Sequence, residues 1–282
     1  MNEFVCLHDK GIIEEVLRRD TDLHVYEIGD LDNFFWPHTL WFARPEPAPI
    51  ASGSGLPASS PTSAVLGADR LSALALLYVG QSPPTFLALG RPEPLRELVR
   101  AIAGLLPPWF YAHLSPGVEQ ALEEKFLLEP HGTHFKMSLK DHETVRASPH
   151  EGSVRLGPEH LTEVLQLYAE SYPGNWFEPR LLETREYVGL RDGGRLVCIA
   201  GTHVFSPAYR VAALGNITTL PSHRHRGLAT RATRDLCRSL LEKVDHIGLN
   251  VAADNRHAIA CYRRLGFEIV ATYGEFSVHA RP

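Results

Sequence analysis

From Ile217 to Ala232 the chain passes from a β-rich stretch through a proline and a basic turn into a helix: Ile-Thr-Thr-Leu-Pro-Ser-His-Arg-His-Arg-Gly-Leu-Ala-Thr-Arg-Ala. Few folds accommodate that order. Arg210 to Leu220 is rich in Val, Ala, Leu, Ile and Thr, interrupted only by Gly215, and predicts a strand ending at Pro221. Leu228, Ala232, Leu236 and Leu240 then recur every four residues, with Arg231, Arg234, Arg238 and Lys243 on other faces, which predicts an amphipathic helix over Leu228 to Lys243. Gly227 and Ala229 bring almost no side chain to the helix start, where first-turn N–H groups lack partners of their own. Such a start is an anion site open to a phosphate. No Gly-Lys-Ser/Thr follows, and the glycines do not form Gly-x-Gly-x-x-Gly, which argues against nucleoside-triphosphate and dinucleotide loops.

His246 to Val251 predicts the next strand, followed by Asp254-Asn255-Arg256-His257-Ala258-Ile259-Ala260-Cys261-Tyr262-Arg263-Arg264-Leu265-Gly266-Phe267. Asn255 is placed to cap a helix and Gly266 to end it in left-handed geometry, while Ala258, Cys261, Tyr262 and Leu265 share one face.

Together these residues resemble the cofactor-binding core of the GNAT-type N-acetyltransferases. Arg224, Gly227 and Ala229 match the family's Arg/Gln-x-x-Gly-x-Gly/Ala signature, and Asn255, Ala258, Tyr262, Gly266 and Phe267 match its second motif. The resemblance is specific over Arg210 to Phe267 and extends from about Val154 to the end. It implies an α/β (α+β type) fold with a mixed, largely antiparallel sheet flanked by helices. It also implies acetyl-coenzyme A as cosubstrate and no metal. By the same resemblance, the backbone of Ile217, Thr218 and Thr219 runs beside the pantetheine arm, and Arg224, His225, Arg226, Gly227, Leu228, Ala229 and Thr230 hold the pyrophosphate. Asn255 touches the pantetheine or sets its helix, and Tyr262 aims its hydroxyl at the sulfur.

Attack of an amine on a thioester develops charge on the carbonyl oxygen and expels a thiolate. A backbone N–H on the splayed strand stabilises the first, and the Tyr262 phenol protonates the second as general acid. Glu170, Glu275 and His203 are candidates for the base, because the elements carrying them commonly line the acceptor site in the resembling fold. The loop after Glu170 offers Tyr172, Asn175, Trp176 and Phe177 as pocket lining. His223 and His225 alternate with arginines and have no Cys or carboxylate ligand set beside them, so no metal site is expected.

At 282 residues and 44% hydrophobic content the chain can bury a large core, and its length favours two domains. The division predicted is 1–145, carrying a flexible Pro/Ala/Ser/Gly loop at 45–63, and a catalytic 150–282. In the first half a helix is predicted from about Lys10 to Arg19, and the aromatic run Asn33 to Phe42 as core. Strands at Leu71–Val79 and Thr85–Leu89, a helix at Pro94–Leu106, a strand at Trp109–Leu114, a helix at Gly117–Phe126 and a strand at His134–Leu139 follow. The second half repeats that order in Arg195–His203, Val211–Leu220, Leu228–Lys243, His246–Val251, Ala258–Leu265 and Glu275–His279. Two tandem acetyltransferase-like halves are therefore expected. The first is degenerate, because Gly90-Arg91-Pro92-Glu93-Pro94-Leu95 stands where the second half has its anion turn, with prolines removing donors and an acid facing any phosphate. Its expected role is to wall the acceptor site or to supply an internal pseudo-dimer interface.

A net charge of −5 argues against a nucleic-acid partner. No apolar run approaches the roughly 20 residues a bilayer span requires. Four separated cysteines and a start lacking a basic-then-apolar leader lead to the expectation of a cytoplasmic protein with reduced thiols. The expected partner is a small-molecule or peptide amine, with the chain a monomer by internal pseudo-dimer or a homodimer. A catalytically silent coenzyme A-binding or sensing module is the alternative, and a partner module using the basic helix face is a third reading.

Overall fold

The computed structural model describes residues 3–46, 67–147, 149 and 152–282; beyond Glu46, the predicted 45–63 loop lies outside the described residues. In chain order the elements are β1 (Val5–Leu7), α1 (Lys10–Leu17), α2 (Val25–Gly29), β2 (Thr39–Pro45), β3 (Leu71–Tyr78), β4 (Thr85–Ala88), α3 (Pro92–Ile102), β5 (Trp109–Leu114), β6 (Phe126–Leu139) and α4 (His142–Arg146). They continue with β7 (Val154–Leu156), α5 (Leu161–Ser171), β8 (Tyr187–Asp192), β9 (Arg195–Ser206), β10 (Val211–Thr219), α6 (Leu228–Leu240), β11 (His246–Ala252), α7 (Arg256–Arg264) and β12 (Phe267–Ala280). Among the described residues no helix is long and apolar enough to cross a membrane.

Backbone contacts divide the chain into two compact units, one of residues up to Arg19, His38–His131 and Gly274–Pro282, the other of Asp20–Pro37 and Gly132–Tyr273. This differs from a division at 145/150. Segment 20–37 joins the second unit because α2 packs onto β9 and β11 with glycine seated against valine: a Cβ on Gly29 would lie 1.9 Å from Val204 Cγ1, and one on Gly248 would lie 3.3 Å from the Val25 side chain. Residues 274–279 join the first unit through antiparallel pairing with β5.

In the first unit the strands run β1, β2, β3, β4, β5 and the last part of β12, all antiparallel except β4–β5. Leu95, Leu98, Val99 and Ile102, at helical spacing on α3, share a buried core with Phe42, Phe86 and Phe110. The parallel pair stays zipped to its end. Register continues to Ala88↔Leu114, then Ser115 N–H donates to the Ala88 carbonyl at 3.0 Å and Gly90 N–H to Ser115 Oγ at 2.9 Å. The helix predicted at Gly117–Phe126 does not form: a short 3-10 turn at Glu119–Ala121 lies between Gly117, at φ +88°, and the start of β6. Too few residues remain there to repay helix nucleation.

In the second unit the order is the last part of β6, then β11, β10, β9, β8 and β7, with β10–β11 the parallel pair. Each unit thus carries the predicted strand-helix-strand crossover, β4-α3-β5 in one and β10-α6-β11 in the other. The predicted strands at His134–Leu139 and Glu275–His279 are the ends of the longer β6 and β12. Within the aromatic run, Phe35, Trp41 and Phe42 are buried.

Candidate active site

The second unit's parallel pair opens where the first unit's stays closed. Residues β10 211–214 pair with β11 246–249, and beyond Leu214↔Leu249 no further pair joins the two strands among the described residues. β10 instead bulges against β9, with register shifting between Gly215 and Thr218. Asn216 takes φ +55° at the bulge, a conformation that asparagine tolerates better than most residues. Two buried tyrosines hold it there. Tyr168 OH donates to the Asn216 carbonyl at 2.9 Å, Asn216 Nδ2 donates to Tyr187 OH at 3.1 Å, and Tyr187 OH donates to the Thr202 carbonyl at 2.8 Å. Burial pushes both phenols' pKa up, so they remain donors.

Past the bulge, Thr218↔Ile199 and Thr219↔Cys198 restore pairing with β9. Thr219 Oγ1 donates to Cys198 Sγ at 3.2 Å. The chain then turns through Pro221–His223 and enters α6 by way of His225 at φ +62° and Gly227 at φ +75°. No side chain caps α6, and a Cβ placed on Gly227 would meet nothing within 4 Å. The N–H groups of Leu228, Ala229 and Thr230 have no partner among the described residues, as helix starts that are able to take an anion do. Arg224 is placed differently from expectation. Its guanidinium donates to the Thr219 carbonyl at 3.3 Å and the Ser171 carbonyl at 3.2 Å, strapping the turn to the end of α5. His223 lies 3.2 Å and Arg226 3.6 Å from Asp192, and the His225 ring sits edge-on to His257.

Asn255 caps α7 by accepting from Ala258 N–H at 3.1 Å, and Gly266 ends that region at φ +91°, where a Cβ would lie 2.7 Å from the Asp141 backbone. Cys261 Sγ contacts Thr230 Oγ1 at 3.0 Å, tying α7 to the first turn of α6. The next residue, Tyr262, packs edge-on to Phe267 at 5.9 Å. Its hydroxyl has no hydrogen-bond partner among the described residues, and burial, with Cys261 and Tyr172 adding to it, drives its pKa upward. The structure therefore brings together 217–219, 224–230, Asn255 and Tyr262.

The carboxylate candidates are engaged in contacts of their own. Glu170, half exposed, is ion-paired with Arg195 at 2.5 Å. Glu275 belongs to the first unit, where Tyr111 OH donates to it at 2.6 Å and His113 lies 3.5 Å away. Tyr172 and Trp176 are 45% and 44% exposed, whereas Phe177 packs against Tyr168 and Tyr187. Among the described residues no metal-ligand cluster occurs. Sequence reasoning missed Asn216, Tyr168 and Tyr187, whose roles exist only through contacts distant in the chain; Asn next to Gly215 inside a strand pattern was the one local hint.

Residues 161–267 match the Acetyltransferase (GNAT) family. No curated protein matches the chain. Among solved structures, a Drosophila protein superposes with TM-score 0.67 at 14% identity, covering 99% of both chains. A tandem GNAT protein from the clavulanic acid biosynthesis pathway gives TM-score 0.56 at 17% identity, again over 99% of both. A putative GNAT-family acetyltransferase from Novosphingobium aromaticivorans gives TM-score 0.55 at 21% identity, covering 74% of this chain and 89% of its own. These likenesses establish the fold.

Proposed function

We propose that this chain, whose residues 161–267 form a GNAT acetyltransferase domain, moves an acetyl group from acetyl-coenzyme A to a primary amine by direct attack. One observation carries the reading: a half-buried phenol with no hydrogen-bond partner among the described residues, Tyr262, is tethered through Cys261 and Thr230 to a helix start whose amides are also without partners there. Residues of this kind fit a phosphorylated thioester. The amides of Leu228 to Thr230 suit the pyrophosphate, and the opened edge of β10 at 217–219 suits the pantetheine amides. Bound acetyl-coenzyme A supplies an activated acyl group.

In this reading the chain's own part is to orient and to move protons. The bulge at Asn216 exposes backbone groups that stabilise developing negative charge. Tyr262, held protonated by burial, donates to the departing thiolate. The first unit has no equivalent: its parallel pair is closed by Ser115, and α3 opens with Pro92, Glu93 and Pro94. That supports a half without a carrier site of its own, in a chain acting as an internal pseudo-dimer or a homodimer. Free Cys6, Cys198, Cys237 and Cys261 fit a reducing, cytoplasmic setting.

Calorimetry with acetyl-coenzyme A and free coenzyme A tests the carrier site; absence of binding to both refutes the proposal. Tyr262→Phe is expected to lower kcat for thiol release about 100-fold, within the usual range for general acid catalysis, while leaving carrier affinity intact. Full turnover by this variant would remove Tyr262 from the mechanism.

A further inference from the structure

The face of the split covered by α2 carries polar groups that the reaction above does not use. Val211, Gly248 and Val204 meet α2 through Gly29 and Val25, so alternation places Gly215 of β10 and Asn250 of β11 on that same face. Asn250 is the first residue of β11 after the last pair with β10. Its Oδ1 is buried and has no hydrogen-bond partner among the described residues. An acceptor left dry in this way is destabilising unless a ligand supplies the donor. Directly across from Asn250 on β6 is Lys136, already engaged with Glu27 at 3.5 Å and lying 5.0 Å from the Tyr26 ring.

On the other side of the split stands His203. The β9–β10 register shifts between Ala213 and Leu214, their partners being Val204 and Thr202, which makes His203 the extra residue of a β-bulge. Bulges of this kind re-aim a side chain. The ring lies against Gly215, where a Cβ would come within 1.9 Å of His203 Cδ2, and 6.5 Å from the ring of Tyr26, whose hydroxyl donates to the Leu214 carbonyl at 3.3 Å. An unsatisfied amide oxygen and an imidazole thus flank the opening at the level where the strands part.

We propose that this face receives the acceptor amine, with Asn250 Oδ1 accepting one of its N–H groups and His203 taking its surplus proton. The assignment rests on the transferase reading above and names its amine side. In the step served, the nitrogen lone pair forms the N–C bond and the C–S bond breaks. Tyr262 protonates the thiolate, and the proton left on nitrogen passes to His203 and on to solvent, from which Tyr262 is reprotonated. No residue from the exposed Glu170–Arg195 pair is required.

The test compares the full-length wild type with Asn250→Ala, Asn250→Asp and His203→Gln. Each is titrated calorimetrically with acetyl-coenzyme A and assayed for thiol release with ethylamine, spermidine and glycinamide. Carrier affinity is expected to stay within about twofold, Asn250→Ala to raise the amine KM about tenfold, and His203→Gln to lower kcat at least about tenfold, the scale of one lost polar contact. Asn250→Asp, which keeps an acceptor oxygen, is expected to retain most of the amine affinity and covers a misfolded alanine variant. Independently of turnover, adding the same amines to the coenzyme A complex should shift the NMR signal of the Asn250 side-chain amide. Unchanged amine kinetics in the variants, an unmoved amide signal, or a matching loss of carrier affinity overturns the assignment. A wild type that fails to bind acetyl-coenzyme A refutes the transferase reading instead.

Discussion

Replacing Asn216 separately by glycine and by alanine tests what keeps the two strands apart. At an ordinary strand position glycine is the worse choice by about 0.5–1 kcal/mol, because its backbone loses more freedom on folding. At φ +55° a residue with a Cβ incurs about 1–2 kcal/mol of strain that glycine escapes. Both variants lose the 3.1 Å hydrogen bond from Nδ2 to Tyr187 OH, worth about 1 kcal/mol. The Tyr168 bond to the residue 216 carbonyl is backbone-directed and survives in both. Because wild-type Asn216 itself carries a Cβ at this angle, Asn216→Gly loses about 1.5–2 kcal/mol and regains about 1–2 of it, while Asn216→Ala loses about 1 kcal/mol and regains nothing, so glycine is expected at or above alanine, reversing the usual order. Urea unfolding followed by far-UV circular dichroism reads the order directly, as midpoints at a shared slope. Acetyl-coenzyme A affinity should follow the same ranking, since the bulge exposes the strand edge. An alanine variant more stable than the glycine variant would refute the argument that left-handed backbone geometry opens the split.

Other expectations rest on single contacts. Arg224→Ala removes both carbonyl contacts that fasten the turn to Thr219 and Ser171, and should weaken acetyl-coenzyme A binding by about 1.5–3 kcal/mol in calorimetry. Arg224→Lys should do nearly as badly, because one ammonium cannot reproduce the guanidinium fork; full affinity in the lysine variant would show the strap to be dispensable. Gly215→Ala must push the His203 ring aside and should cost about 1–3 kcal/mol in thermal unfolding, with amine turnover falling further than stability predicts. Burial, reinforced by Glu27 and opposed by Lys136, raises the Asp30 pKa well above its ordinary 3.8. A folded pKa above the unfolded one gives stability that is present below the unfolded value and lost as pH rises through the folded value. Asp30→Asn should therefore melt higher than wild type at pH near 7 and lose that advantage near pH 3; equal melting temperatures at both would show Asp30 to be better solvated than its burial indicates.

The second unit's crossover was readable because its signals are local. A run of β-formers ended by proline, a four-residue apolar period and glycines at two helix ends each act within a few residues of themselves. Hence β10, α6, β11 and α7 form within a few residues of their predicted bounds. Asn255 could be assigned as a cap for the same reason. The Gly117–Phe126 helix failed because apolar spacing alone does not say whether a segment is long enough to sustain a helix. Arg224 was readable as part of the turn, but its guanidinium contacts were not, since Ser171 lies 53 residues upstream.

By itself the sequence determined the second unit's crossover, the uncapped helix start and the phenol two turns into the next helix, because backbone propensity and capping are decided by neighbouring residues. Only tertiary structure decided that one parallel pair opens and the other closes. That difference turns on a side-chain hydroxyl at Ser115 sealing the first unit's pair, and on Tyr168 and Tyr187 converging from distant segments on a left-handed asparagine in the second. Hydrogen bonds between residues far apart in the chain leave no period or spacing to read.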